Sequence, residues 1–254
     1  MISKNQMKLI RSLNVKKFRE QEGLFVAEGE KIVGELLNSS FKIHAVYFIH
    51  GWKHEGMHNQ ENIFYEITNE ELKKISMLES PNKVLAIAHI PETKIDLKNL
   101  QGGLTLVLDN IQDPGNLGTI IRTADWFGLK NIICSNESVD AFNSKVVQSS
   151  MGSLFRTNLF YADLKSVLKQ IKEKFKIPVY GAVIDGENII NKKLSQNGIL
   201  IMGNESKGIR SELLNFIDEK ITIPKSRKSS AESLNVAIST AILCYKFAQL
   251  PVEK

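Results

Sequence analysis

Six short apolar runs beyond residue 103 constrain the fold more than any other feature: LTLVLD (104–109), NIICS (131–135), TNLFYA (157–162), PVYGAVI (178–184), GILIMG (198–203) and KITIP (220–224). Each is nearly continuous in apolar residues instead of alternating with polar ones, and helical patterns separate them. Strands that are apolar on both faces must be covered on both, which predicts an α/β unit built on a mostly parallel sheet. In such sheets ligands bind outside the carboxyl ends of the strands, so chemistry is sought in the segments that directly follow these runs. Within 254 residues, 43% of them hydrophobic, there is material for a large packed core, and a disordered chain is excluded.

The first ninety residues read as a second, smaller α/β unit. Ser3 is placed to cap a basic helix with Lys4, Lys8 and Arg11, and Lys16, Lys17 and Arg19 follow before the first acid, Glu20. Strands are expected at 24–29, 43–49, 62–67 and 84–90, a helix through 31–37, and another opened by Thr68 with Glu71 at capping-box spacing. The stretch 91–103 has a proline, two glycines and little periodicity. It sets a boundary between domains 1–98 and 99–254.

The net charge of +5 permits an anionic partner without demanding one. Cys134 and Cys244 lie among apolar neighbours, too few for a disulfide framework, and no run reaches the roughly 18 apolar residues of a membrane span. The expectation is a cytoplasmic protein without a membrane association. All five histidines fall in the first ninety residues, so chemistry in the second domain must proceed without imidazole. His50, His54 and His58 recur every four residues as metal ligands on a helix would. Gly51 and Gly56 interrupt such a helix and no acid or cysteine completes the set, so no metal is expected.

Three segments stand at strand carboxyl ends. In 108–128, Asp113-Pro114-Gly115-Asn116 reads as a turn, with a helix from Leu117 carrying Arg122; Gly115 and Gly118 open the backbone near a helix N-terminus to an anion. The glycine spacing is neither that of a dinucleotide fold nor of a Walker A loop. A bland reading pairs Arg122 with an acid such as Asp125. In 201–209, Gly203 and Gly208 bracket a polar loop containing Glu205. In 221–239, a basic Ser-rich loop with Lys225, Arg227 and Lys228 leads to Ser233 and Asn235 at the start of a long apolar helix, for which Ser233 is the expected N-cap. That helix, 233–250, is apolar nearly all round and must be buried in its own domain or against another subunit.

Together and in this order the three segments resemble the signature motifs of SpoU/TrmH-class RNA ribose 2′-O-methyltransferases. Asn110, Asp113, Pro114, Asn116, Gly118, Arg122 and Ala124 match the first motif, Gly203, Glu205 and Gly208 the second, and Ile221, Ile223, Pro224 and Ser233 to Val236 the third. The N-terminal part is similar to that family's substrate-binding domain through LFVAEGEKIVGELL and ISMLESPNKVLAIA. The resemblance implies a C-terminal domain tied into a deep trefoil knot, a homodimer, S-adenosylmethionine as cofactor, and methyl transfer to a ribose 2′-hydroxyl in RNA, with ribosomal RNA favoured over transfer RNA. By position it implies cofactor contacts at Met202, Gly203, Gly208, Ile223, Leu234 and Asn235, and a reaction site of Asn116, Arg122, Glu205, Ser233 and Asn235. Arg122 is better suited to binding a phosphate and steadying an alkoxide than to taking a proton, because its pKa exceeds about 12. RNA is expected along Lys4, Lys8, Arg11, Lys16, Lys17, Arg19, Arg156, Lys225, Arg227 and Lys228. The third-motif loop is about two residues longer than is common in the family and carries Lys225 at a usually apolar position. The competing readings are a non-catalytic RNA-binding dimer and a methyltransferase of small molecules or proteins.

Overall fold

The computed structural model describes residues 2–54, 63–190 and 192–248. The chain divides into two compact units, Met1–Glu92 with Asp140–Arg156, and Thr93–Val139 with Thr157–Lys254.

In the first unit, helix α1 (Lys4–Ser12) begins at Ser3, whose hydroxyl accepts the Gln6 N–H while the Gln6 side chain accepts the Ser3 N–H. Helix α2 (Lys16–Glu22) and strand β1 (Leu24–Glu28) follow, then α3 (Glu30–Leu37), β2 (Ile43–Phe48), β3 (Phe64–Glu66), α4 (Asn69–Ile75) and β4 (Val84–His89). Thr68 and Glu71 form the expected capping box on α4. The sheet runs β1-β4-β2-β3, with β4 antiparallel to both neighbours and β3 parallel to β2.

Every residue of β1 is buried because both faces of the strand are covered. Leu24 and Val26 join Ile10, Leu13, Tyr47, Leu72, Ile75, Leu85 and Ile87 on one face. Phe25 on the other lies 4.8 Å from the ring of Phe142 and 6.2 Å from that of Phe155. Those two rings belong to a segment that the sequence reading assigns wholesale to the second domain. It contributes helix α6 (Ser144–Ser150), and Asp140 in it accepts both Nε (2.8 Å) and Nη2 (2.6 Å) of Arg19. Covering Phe25 and pairing Arg19 are the physical reasons why 140–156 clusters with the first unit.

The second unit holds β5 (Leu104–Leu108), α5 (Pro114–Trp126), β6 (Asn131–Ser135), β7 (Asn158–Ala162), α7 (Leu164–Lys174), β8 (Val179–Asn188), β9 (Gly198–Met202), α8 (Ser211–Leu214), β10 (Glu219–Thr222) and α9 (Val236–Ala248). All neighbouring strands are parallel in the order β10-β8-β9-β5-β6-β7, as the apolar runs predict. β10 pairs with Tyr180 and Gly181, then with Glu187 and Asn188, so 182–186 leave the ladder. One core unites Val107, Ile133, Ile199 and Ile201 with Leu164, Leu168, Ile171 and Leu213. Helix α5 packs against α9. Residues 249–250 of the expected last helix lie outside the described residues.

Candidate active site

Strand β5 ends in an acid. Asp109 is fully buried, and its carboxylate accepts the Arg210 backbone N–H at 2.8 Å and the Arg210 Nε–H at 2.7 Å. The chain then turns through Asn110 at φ 59°, a conformation that Asn tolerates better than most side chains. Hydrogen bonds hold this turn: Asn110 N–H to Ser135 Oγ (3.0 Å), Ile111 N–H to Ser138 Oγ (3.1 Å) and Gln112 Nε2 to the Glu137 carbonyl (2.8 Å). Helix α5 starts three residues earlier than the sequence predicts, because Asp113 caps it by accepting the Asn116 N–H at 2.7 Å and Pro114 takes the first helical position.

The loop after β9 is pinned to the same turn. Asn204 donates Nδ2 to the Asn110 carbonyl (2.8 Å), and its Oδ1 accepts the N–H groups of Ser206 and Lys207, both at 3.0 Å. Backbone bonds between Asn204 and Gly208 close the loop at 3.0 and 2.9 Å. A Cβ on Gly203 would stand 2.3 Å from the Gly208 carbonyl carbon, so glycine is required there by the loop's own backbone. Gly208 sits at φ 68°, left-handed with open space beside it.

The third segment arrives from the start of α9. Asn235, not Ser233, caps this helix: its Oδ1 accepts the N–H groups of Ala237 (2.9 Å) and Ile238 (3.3 Å), and its carbonyl accepts the Ser239 N–H. The expected cap is thus displaced by two residues, since the helix begins only at Val236. Asn235 Nδ2 donates to Asn116 Oδ1 at 2.9 Å, and Asn116 Nδ2 donates to Glu205 Oε1 at 2.9 Å. These two bonds span 119 and 89 residues of chain and join the three segments.

Of the other sequence candidates, Arg122 lies on α5 six residues beyond Asn116, about 9 Å along the axis and about 120° around it. It is exposed on that helix. Ser233 and Leu234 are exposed, Ile223 is half-buried, and the buried Met202 gives its carbonyl to the Asp109 N–H (2.8 Å). Lys225, Arg227 and Lys228 are exposed on a loop turned by Ser226, whose carbonyl accepts the Ser229 N–H. Lys4, Lys8, Arg11, Lys16 and Lys17 are exposed on α1 and α2. Arg11 also donates to the Lys74 carbonyl, and Arg156 is paired with Glu35.

Arg19 departs from expectation. It is 2% exposed, with Nη1 on the Leu13 carbonyl (2.7 Å) and the rest of its guanidinium on Asp140, which leaves nothing to offer a phosphate. His50 pairs with Glu66 at 3.0 Å and His58 lies outside the described residues. Among the described residues no cluster of three or more His, Cys, Asp or Glu side chains could hold a metal. Burial pushes the Cys134 thiol far up and the Cys244 thiol up to about 12, so neither is a nucleophile at neutral pH. Sequence reasoning missed Asp109, Asn204 and Arg210. The lone acid closing the apolar run LTLVLD was the available signal for the first.

The model of the SpoU rRNA methylase family matches residues 103–245, and that of the MRM3-like substrate-binding domain matches residues 4–86. The 23S rRNA (guanosine(2553)-2′-O)-methyltransferase RlmP of Bacillus subtilis is 32% identical over 245 residues, covering 96% of each chain. A solved structure from Porphyromonas gingivalis, described as an RNA methyltransferase of the TrmH family, is 37% identical with a TM-score of 0.86, over 97% of this chain and 98% of that one. The AdoMet-bound rRNA methyltransferase from Sinorhizobium meliloti is 28% identical with a TM-score of 0.84, over 97% and 96% of the two chains.

Proposed function

The chain belongs to the SpoU rRNA methylase family, and from its site we propose that it transfers the methyl group of S-adenosylmethionine to a ribose 2′-hydroxyl of ribosomal RNA. The observation that carries the reading is the bond sequence Asn235 to Asn116 to Glu205, which gathers the three motif segments at the carboxyl ends of the strands.

The residues present fit the cofactor. Half-buried Ile223 and exposed Leu234 offer apolar faces to an adenine, and the backbone at Met202, Gly203 and Leu234–Asn235 offers the polar groups that would read its edge. Gly208 at φ 68° keeps the loop open beside them. When bound, the cofactor supplies an electrophilic methyl group on a sulfonium. The chain's own task is to align the 2′-oxygen in line with that methyl, exclude competing water and receive charge and proton. Arg122, exposed on α5, is suited to clamp the adjoining phosphate and steady the developing negative charge on the oxygen. Asn116 and Asn235 hold the loops around it.

RNA is assigned to the exposed cations Lys4, Lys8, Arg11, Lys16 and Lys17 in the first unit and to Lys225, Arg227 and Lys228 in the second, where phosphate contacts supply affinity. Two copies are expected to pair through Trp126, Ile238, Ile242 and Tyr245. These are exposed large side chains on α5 and α9, and Trp126 is 81% exposed. Family membership and the meeting of the three loops support a trefoil knot in the second unit. No helix of the described residues is long and apolar enough to cross a membrane, and two buried thiols suit a reducing cytoplasm.

The deciding experiment maps 2′-O-methyl positions in total RNA from cells with and without the gene, alongside calorimetry with S-adenosylmethionine. One ribosomal position lost with the gene, and heat of binding from the cofactor, are expected. A lost position in transfer RNA alone would overturn the choice of RNA, and an absence of binding heat would favour a non-catalytic RNA binder.

A further inference from the structure

We propose that Lys42, His44 and His89 form a phosphate site in the first unit, which holds a backbone phosphate of the RNA while its imidazoles draw protons from the solvent. The inference rests on the RNA methyltransferase reading and adds to it a place and a chemistry for one contact outside the three loops.

The first unit carries every histidine of the chain, and the methyl transfer uses none of them. Two are brought together by the sheet. Strands β2 and β4 are antiparallel, and the Lys42 carbonyl accepts the His89 N–H at 2.9 Å, which sets the ends of the two strands side by side. The register shifts between Ile43, opposite Ala88, and Ala45, opposite Ile87, so His44 is the extra residue of a bulge. A bulge gives up regular pairing and re-aims a side chain. Here it yields an edge-to-face pair, with the rings of His44 and His89 5.6 Å apart between centres at an angle of 71°. Lys42 and His44 are exposed and His89 is half-buried, so the group opens to solvent.

The surrounding chain supplies cations and no acids. Neither 38–51 nor 81–91 contains an Asp or Glu. The His89 imidazole is held below its ordinary range first by burial and then by Lys42 and His44, each of which disfavours another positive charge beside it. An anion placed among the three reverses that effect, because an opposite charge favours the protonated ring. Phosphate suits the position, since its oxygens accept from an ammonium and from ring N–H groups at once. RNA presents one at every nucleotide, and the exposed cations of α1 and α2 in the same unit already favour a polyanion. A transition metal is the poorer occupant: two imidazoles are half of a tetrahedral set, and Lys42 repels a cation.

The sign of the pH dependence follows. Free His89 gives up its proton below its ordinary value of 6.5, and a bound phosphate raises that value. Binding therefore takes up protons from the buffer, and RNA affinity grows as the pH falls through this range and declines as it rises.

The test uses the full chain with His44→Gln and His89→Gln together, and separately with Lys42→Gln. Filter binding to ribosomal RNA from cells lacking the protein is measured between about pH 5.5 and pH 8, and calorimetry in buffers of different ionisation enthalpy counts the protons taken up. On acidification the wild type should tighten about tenfold more than the double variant, the factor that one unit of pKa shift is worth. Its proton uptake should be missing from the double variant, and its salt slope at acid pH should be steeper by about 0.7 to 0.9 for each charged imidazole. Lys42→Gln, checked for folding by its melting curve, should weaken RNA binding at every pH. In the RNA-free protein it should also move the His89 titration up toward its ordinary value, as proton NMR reads it. A double variant with wild-type pH dependence, or a wild type that binds RNA without taking up protons, overturns the proposal. A His89 titration moved by inorganic phosphate and not by RNA overturns the RNA as the source of the phosphate. A wild type that binds no ribosomal RNA at any pH would take down the functional reading itself.

Discussion

The first unit buries the ion pair that ties in its distant segment, and the second displays the amide and carboxylate bonds that join its three loops. Arg19, 2% exposed, is held by the Leu13 carbonyl and by Asp140, which opens the separate segment Asp140–Arg156 of its unit. Asn116 is half-buried, Glu205 and Asn235 are exposed, and their bonds leave one carboxylate oxygen open. A buried ion pair leaves no group for a ligand but leaves a large penalty if one partner is lost. An exposed relay contributes little to stability and keeps its chemistry available. The contrast separates residues whose loss unfolds from residues whose loss silences.

Arg19→Met should show the largest effect, because it strands the Asp140 charge. We expect the first unit to lose about 3–5 kcal/mol in denaturant unfolding, with much of it restored by adding Asp140→Leu. S-adenosylmethionine affinity measured in folded protein should stay at the wild-type value. A loss below about 1 kcal/mol would put Arg19 back among the surface cations and erase one side of the contrast.

Arg122→Lys probes the other side. Since Arg122 is exposed, thermal stability should not move, while single-turnover methyl transfer falls about 100- to 1000-fold, the usual cost of losing one well-placed donor to a developing oxyanion. Lysine retains the charge and loses the planar fork. Full activity in the Lys variant would reduce Arg122 to a point charge.

How far these roles could be read from sequence follows the same division. The parallel sheet was legible because its central strands, β5 and β9, are buried on both faces and so are apolar almost throughout. Local caps were legible where the signal lies within four residues, as at Ser3 and Thr68. The position of α9's cap was not: Ser233 and Asn235 are both good caps, and the bond to Asn116, 119 residues away, favours Asn235. Arg19 reads as one more cation in a basic run, because its partner comes from a segment whose docking depends on Phe142 and Phe155 meeting Phe25. The buried Asp109–Arg210 clamp was hidden for the same reason, a separation of 101 residues.

Reversing two charges on the exposed loop, Arg227→Glu with Lys228→Glu, should weaken RNA binding at least about tenfold and reduce the slope of log affinity against log salt by roughly 2, one for each lost phosphate contact. Calorimetry should show unchanged cofactor affinity. An unaltered salt slope would assign RNA to the first unit's cations alone.

A smaller effect is expected from Glu28, buried on β1 with its carboxylate accepting from Ser76 and the Met77 N–H (2.9 Å). Burial pushes its carboxyl up more than the two hydrogen bonds pull it down. The folded state therefore holds this proton more tightly than the unfolded state does. Its contribution grows as pH falls through the raised value toward 4.5, and ionised Glu28 costs stability above that window. Relative to Glu28→Gln, which cannot titrate, the wild type should gain stability on going from pH 7 to pH 5. A constant difference between the two across that range would mean that the hydrogen bonds fully offset burial.

The smallest effect should come from Ser233→Ala, and it sharpens the contrast most finely. Ser233 is exposed and bonds to no described residue, so its loss should change stability by less than about 0.5 kcal/mol. Asn235→Ala removes the cap of α9 and should cost about 1 kcal/mol. If Ser233→Ala nevertheless lowers methyl transfer while its melting curve overlays the wild type, the hydroxyl acts only on bound RNA or cofactor. A drop in transfer matched by a drop in stability would instead place Ser233 in the framework of the loop, with Asn235.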